Sequence, residues 1–393
     1  MIEAGQRPRI RAVSTRSEYA LVAFLRSFDW ILLAAAAGLV GYGLWVVSGI
    51  TRFDVPGAEN YYVVRQAAAA AMGTVGLVIV ALVPLELWRR YWKLVYGATL
   101  GLVFVVFVGA ETIRGSKRWI DLGVIQFQPS ELGKVLFVLA LAGFVVGRVG
   151  PRTRWRTIFS VIGLGAAPIL LVFMQPDLGT ALVYGAALFA VLFFVGVRWR
   201  QLAVLLVAAV LAITSVLWLL PSAGVQVLKP YQAARLTLDP GADPSGITYN
   251  LSQSITAVGS GGITGRGVIG ASQTRLDYLP EHATDFAFAS LAEQRGFVGC
   301  AILLLLYLLV VWRGLRVVTG ASDLYGVVVA GALVVAFLFQ VFVNVGMTMG
   351  VAPVTGIPLP FVTVGGSSMV SNLVLIGVLQ SIHARGDLGR ARP

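Results

Sequence analysis

The sequence predicts an all-α polytopic membrane protein of about ten transmembrane helices, and three observations carry that prediction. Of its 393 residues 58% are hydrophobic and only 12% are charged, against about 25% charged in an ordinary soluble domain. Apolar runs of about 20 residues, the length that crosses the hydrocarbon of a bilayer, recur along nearly the whole chain. Basic residues crowd alternate connections, as the positive-inside rule requires. A soluble enzyme, a nucleic-acid-binding protein and a disordered scaffold are excluded. The net charge of +12 is in large part a topology signal. One cysteine, Cys300, excludes internal disulfides and Cys-rich metal sites, and two histidines, His282 and His383, make a His cluster equally poor.

The apolar spans fall near 28–49, 63–84, 92–111, 130–148, 158–174, 178–197, 202–220, 285–311, 323–344 and 365–382. Residues 1–27 carry five arginines and no short cleavable apolar stretch, so they read as a cytoplasmic tail, and residues 383–393 as a second one. With the N-terminal tail inside, Arg89, Arg90, Lys93, Arg148, Arg152, Arg154, Arg156, Arg198, Arg200, Arg313, Arg316, Arg385, Arg390 and Arg392 share its side. That places 19 of the 30 basic residues inside, with both termini cytoplasmic. Most of the other cations, and 12 of the 18 acidic residues, fall at outer loops and outer helix ends. Chemistry is therefore expected on the outer face.

Residues 221–284 form a long outer loop between spans seven and eight. Within it Ile247, Leu251, Ile255 and Val258 recur at helical spacing, which predicts a short helix lying in the membrane interface. The Gly-rich stretch from Gly259 to Gly270 supplies flexible or close-packed backbone.

Five polar constellations lie on this face. In the first, Tyr278–Phe286 runs straight into span eight. There Thr284 or Asp285 would cap the first helical turn, or Asp285 would act as a general base beside substrate. Glu293, two turns deeper, needs a partner or a polar cavity, since an ionised carboxylate at mid-bilayer costs about 2.5–3.5 kcal/mol. The second joins Arg114, Lys117 and Arg118 to Gln128-Pro129-Ser130-Glu131-Leu132-Gly133-Lys134. Its three clustered cations suit a diphosphate or an anionic headgroup, while Glu131 and Lys134 can pair on one helix face. The third, Lys229–Leu236, includes Arg235 and reads as an interfacial anchor. In the fourth, Met174–Thr180, Asp177 is most simply an N-cap. The fifth runs from Pro353 to Phe361 and on to Gly365-Gly366-Ser367-Ser368. It predicts a re-entrant-like loop, with Ser367 and Ser368 as caps in preference to headgroup contacts, because non-helical backbone at membrane depth survives only beside protein or a wet cavity.

In this order on ten spans, Q-P-S-E-L-G-K, Q-P-D-L-G-T, K-P-Y-Q-x-x-R-L, P-E-x-x-T-D-F and P-V-T-G-I-P-L-P-F…G-G-S-S resemble the SEDS family (RodA, FtsW, SpoVE). The stretch Ala271–Pro280 is closer to the RodA form. The resemblance implies a peptidoglycan glycosyltransferase that polymerises lipid II at the outer face of the bacterial cytoplasmic membrane. It also implies a class B penicillin-binding protein as crosslinking partner. Asp285 then takes the place of the family's essential aspartate, and Glu131 with Lys134 that of its Glu/Lys pair. Three positions depart from the pattern: Ala283 stands where the family has histidine, with His282 one earlier; Val364 replaces a tyrosine; and Ala352 replaces a leucine. On this reading a lipid II hydroxyl attacks the anomeric carbon of a polyprenyl-diphosphate-linked glycan. Asp285 is the base. Lys117, Arg118, Glu131, Lys134, Arg235 and Arg275 bind substrate, the cations stabilising the leaving diphosphate. No protein metal site is expected, a divalent cation (Mg or Mn) being a possible assistant, and His282 is given no role. The rival reading is a lipid II flippase, with Asp285 and Glu293 as coupling charges.

Overall fold

The computed structural model describes residues 27–109, 118–121, 126–148, 154–225 and 246–390. Each of the ten apolar runs is a helix. In chain order α1 is Trp30–Ile50, α2 Tyr61–Leu82, α3 the short Leu85–Arg90 and α4 Trp92–Gly109. A two-residue hairpin, β1 Ile120–Asp121 with β2 Gln126–Phe127, leads into α5 Pro129–Val146. Then come α6 Trp155–Met174, α7 Leu178–Phe194 and α8 Trp199–Thr214, which continues through a π turn to Ser222. After α9 Ile247–Ser260 and the single turns α10 Gly267–Gly270 and α11 Ser272–Arg275 come α12 Ala287–Gly320, α13 Leu324–Thr348 and α14 Gly366–Arg390. Eight are long and apolar enough to cross a bilayer, and α4 and α7 are shorter apolar helices.

Successive spans alternate in direction, so the bundle has two chemically different ends. One gathers the arginine-rich connections. There Asp29 caps α1, accepting from Leu32 N at 3.0 Å, and pairs with Arg313 of α12 at 2.8 Å. Gln380 of α14 donates to Asp29 O and accepts from Asp29 N, both at 2.8 Å. The other end gathers the motifs. Apolar side chains such as Val108, Phe342 and Leu305 stand exposed around the perimeter, as a lipid-facing surface requires. Three helices, α5, α13 and α14, are instead buried on most sides and form the middle of the bundle.

At the motif end one segment differs from expectation and another takes the second of its two expected forms. The helix within the long loop forms as predicted, but it docks with a shifted face: Ser254 and Ala257 are fully buried while Ile255 is 47% exposed. Ser254 Oγ donates to Thr348 O of α13 at 2.8 Å, so a hydrogen bond to a neighbouring span displaces the apolar stripe. The glycine-rich stretch is close-packed. In α12 Gly296 adopts φ +65°, breaking the helix. That break lets Phe297 N donate to Gly262 O at 2.9 Å and Val298 N to Ile263 O at 3.1 Å. Only glycine accepts this backbone cheaply.

Candidate active site

The connection preceding α12 is where the motifs converge. Residues 282–285 present four consecutive carbonyls, and each accepts a hydrogen bond from a different donor. His282 O accepts from Ser290 Oγ (3.2 Å) and Ala283 O from Val364 N (2.9 Å). Thr284 O accepts from Thr363 Oγ1 (3.0 Å) and Asp285 O from Asn344 Nδ2 (3.2 Å). These bonds come from α12, twice from the 353–365 loop, and from α13. They hold the segment outside the helix, so α12 begins at Ala287 with Phe286 at its N-cap and no side-chain cap bond. The capping role expected for Thr284 or Asp285 is thereby corrected: Thr284 Oγ1 donates to Glu281 Oε2 at 2.8 Å instead. Asp285 itself is half-buried on a backbone pinned at its own carbonyl.

The 353–365 loop supplies this clamp because it is itself immobilised. Thr355, Ile357, Leu359 and Phe361 are all about fully buried, and Tyr307, well inside α12, donates to Pro360 O. Phe361 O lies so close to Gly43, within α1, that any side chain there would collide with it. The loop thus enters the bundle beside protein, as a re-entrant segment must. Gln66 of α2 donates to Thr363 O at 3.0 Å and accepts from Gly365 N at 3.2 Å. Asn344 also donates to Ile357 O at 2.7 Å. Ser367 does not cap α14 as expected. It accepts from Gln128 N at 2.6 Å and donates to Gln126 O at 3.0 Å, tying the loop's end to the start of α5.

From Gln128 the network runs to the fourth constellation. Gln128 Nε2 donates to Asp177 Oδ2 at 2.8 Å, and Asp177 caps α7 by accepting from Thr180 N at 3.1 Å. Arg118 lies 3.7 Å from the same carboxylate. One turn into α5, Lys134 Nζ donates to Glu131 Oε2 at 2.7 Å and to Gln340 Oε1 of α13 at 2.9 Å. Ser371 of α14 donates to Glu131 Oε2 at 3.3 Å. The pair is sealed where the three central helices meet, each side chain 2% exposed.

Glu293 proves structural. It is fully buried, and its carboxylate accepts from Gln273 N (2.8 Å), Thr274 N (2.9 Å) and Thr274 Oγ1 (2.7 Å). Three donors, two of them orphan N–H groups at the start of α11, stand in place of the basic partner that was one of the two environments expected at its depth. Arg275 ends that turn, exposed, and forms no ion pair with Asp285 or the Glu131–Lys134 pair among the described residues. Lys117 and Arg235, with the Lys229–Leu236 segment, lie outside the described residues. Asn344 and Gln340 were not singled out from the sequence. Their signal was two amides one turn apart inside an otherwise apolar span, where polar groups are expensive.

Chemically, the arrangement presents a carboxylate on a fixed backbone, at the end of the bundle opposite the arginine-rich connections. The family model described as "FTSW_RODA_SPOVE: Cell cycle protein" matches residues 26–387. The peptidoglycan glycosyltransferase MrdB of Escherichia coli K12 is 37% identical over 360 residues, covering 91% of this chain and 95% of its own. Stage V sporulation protein E of Bacillus subtilis is 35% identical over 357 residues, covering 90% and 94%. Among solved structures, a chain from work on "structural coordination of polymerization and crosslinking by a peptidoglycan synthase complex" superposes with a TM-score of 0.76 at 31% identity, covering 93% and 99%. The rod shape determining protein RodA of Thermus thermophilus superposes with a TM-score of 0.66 at 28% identity, covering 91% and 96%.

Proposed function

The chain belongs to the FtsW/RodA/SpoVE family, and from that membership we propose how it works as a peptidoglycan glycosyltransferase. Its substrate is lipid II, and it polymerises glycan at the extracytoplasmic face of the cytoplasmic membrane, both termini lying inside. The observation that carries this reading is the clamp on residues 282–285, which fixes a half-buried carboxylate at the motif end of the bundle. Fixing a reacting group before substrate arrives removes orientational entropy from the barrier.

In the proposed step Asp285 takes the proton of the lipid II acceptor hydroxyl. That oxygen forms the new bond to the anomeric carbon of the lipid-linked glycan. The bond to the diphosphate oxygen breaks, and undecaprenyl diphosphate leaves with the electron pair. Arg118 supplies positive charge toward the diphosphate from the end of the β1 hairpin, together with Lys117, Arg235 and Arg275. The sealed Glu131–Lys134 pair serves the substrate from beneath, by holding α5 in register with α13 and α14. A divalent cation bound together with the substrate would add positive charge to that which Arg118 supplies at the leaving diphosphate. A class B penicillin-binding protein crosslinks the product.

Supplying lipid II directly to the purified protein in detergent, with and without a transpeptidase partner, tests this. Glycan strands on a gel are the expected product. A folded protein that yields none in either condition, yet moves lipid II across vesicles, would establish the flippase instead.

A further inference from the structure

His282 occupies a place that the proposed chemistry leaves unexplained. It lies three residues before Asp285, and its ring faces away from the clamp toward the α1–α2 connection. There His282 Nε2 lies 3.0 Å from Asp54 Oδ1, while His282 Nδ1 lies 3.5 Å from Asp277 Oδ1. The two partners differ in kind: Asp54 is 20% exposed and Asp277 79%. Asp54 therefore forms the sheltered half of the pair, and screening by water weakens it less than it would an ordinary surface contact. The α1–α2 connection is a run of tight turns, with an Arg52–Glu59 ion pair at 3.2 Å across it. At its start Gln294 donates to Gly49 O at 3.2 Å. The imidazole thus links a compact loop to the one segment whose placement the proposed reaction requires.

We propose that the His282–Asp54 ion pair is a positioning contact, locking the α1–α2 connection against residues 282–285 and so holding Asp285 in its reactive place. The inference rests on Asp285 being the base. It assigns His282 and Asp54 no contact with substrate. The charged groups facing the imidazole among the described residues are Asp54 from the α1–α2 connection and Asp277 from the turn after α11. Burial works against the charged ring, but the hydrogen bond and charge of Asp54 and the charge of Asp277 outweigh it, and the pKa is raised above 6.5. With the folded value raised, the contact is complete at lower pH and is lost as pH rises through it.

Polymerisation from lipid II by the purified full-length protein, followed from about pH 6 to about pH 9, tests the contact. In wild type kcat should fall on the alkaline side while KM stays put. His282→Gln and Asp54→Asn should each lose about tenfold in kcat at neutral pH, as expected for a slightly misplaced reacting group. Both should lack that alkaline fall, and Asp54→Glu should restore it. Should His282→Gln fail to fold, Asp54→Asn carries the same test. Variants with wild-type kcat and an unchanged alkaline fall, or with a loss confined to KM, would overturn the proposal. Asp285→Asn assayed alongside separates the two ideas. If it is inactive while the latch variants match wild type, the latch alone is wrong. If it is active while they lose kcat and the alkaline fall, the base assignment is wrong, and the claim that the contact acts through Asp285 falls with it.

Discussion

Removing one member of the Glu131–Lys134 pair should cost about as much stability as removing both. Each side chain is 2% exposed, and the ammonium has two acceptors, Glu131 Oε2 at 2.7 Å and Gln340 Oε1 at 2.9 Å. Glu131→Leu leaves a buried cation with a single neutral acceptor, and Lys134→Met leaves a buried anion with Ser371 alone. Stranding a buried charge this way costs about 3–5 kcal/mol. The double variant Glu131→Leu with Lys134→Met strands no charge. It loses only the hydrogen bonds to Gln340 and Ser371, about 1–3 kcal/mol for each group left unmet. The double variant should therefore be no less stable than either single one. A coupling energy of at least about 2 kcal/mol should appear in the cycle. Denaturant-induced unfolding in mixed micelles, followed by tryptophan fluorescence, measures all four proteins. Single variants within about 1 kcal/mol of wild type, or strictly additive costs, would refute the buried-pair reasoning. If polymerisation were lost in those same stable variants, the pair would be a direct substrate contact.

Two further outcomes follow. Cysteine introduced at Thr319, exposed at the arginine-rich end, should react with an impermeant label only after cells are opened. Cysteine at Asp277 should react in intact cells, and the reverse pattern would invert the proposed topology. Gly296→Ala forces a side chain onto φ +65° with Gly265 N and Ile263 O in its way. It should destabilise the protein by more than about 1 kcal/mol in the same unfolding assay, and an unchanged midpoint would show that the α12 break is not required.

The spans were legible because a run of apolar residues long enough for the bilayer needs no tertiary information. The motif end was legible for a related reason, since arginine placement is a local property of each connection. Asp177 as an N-cap was read correctly from its position after a proline at a helix start. What the sequence concealed was long-range. A cap at Thr284 or Asp285 stayed open beside the general-base reading because nothing local says that Val364, Thr363 and Asn344 hold the backbone carbonyls before a helix can form. Ser367 read as a cap for its own helix, yet its partners lie in β2 and at the start of α5. Glu293 called for a basic partner or a polar cavity on energetic grounds. Two backbone N–H groups from a turn 20 residues earlier satisfy it, and no spacing rule points to them.

The central claim is that Asp285 acts by accepting a proton and not by shaping its helix. Asp285→Asn in purified, folded protein, assayed for glycan polymerisation from lipid II, tests it most directly. Asparagine keeps the shape and hydrogen-bonding capacity of aspartate but takes no proton at neutral pH. The backbone clamp uses the Asp285 carbonyl, which the substitution leaves intact. An unchanged unfolding midpoint is expected, with a polymerisation rate lower by about 10²–10⁴-fold. A folded Asp285→Asn protein that polymerises at the wild-type rate would contradict it.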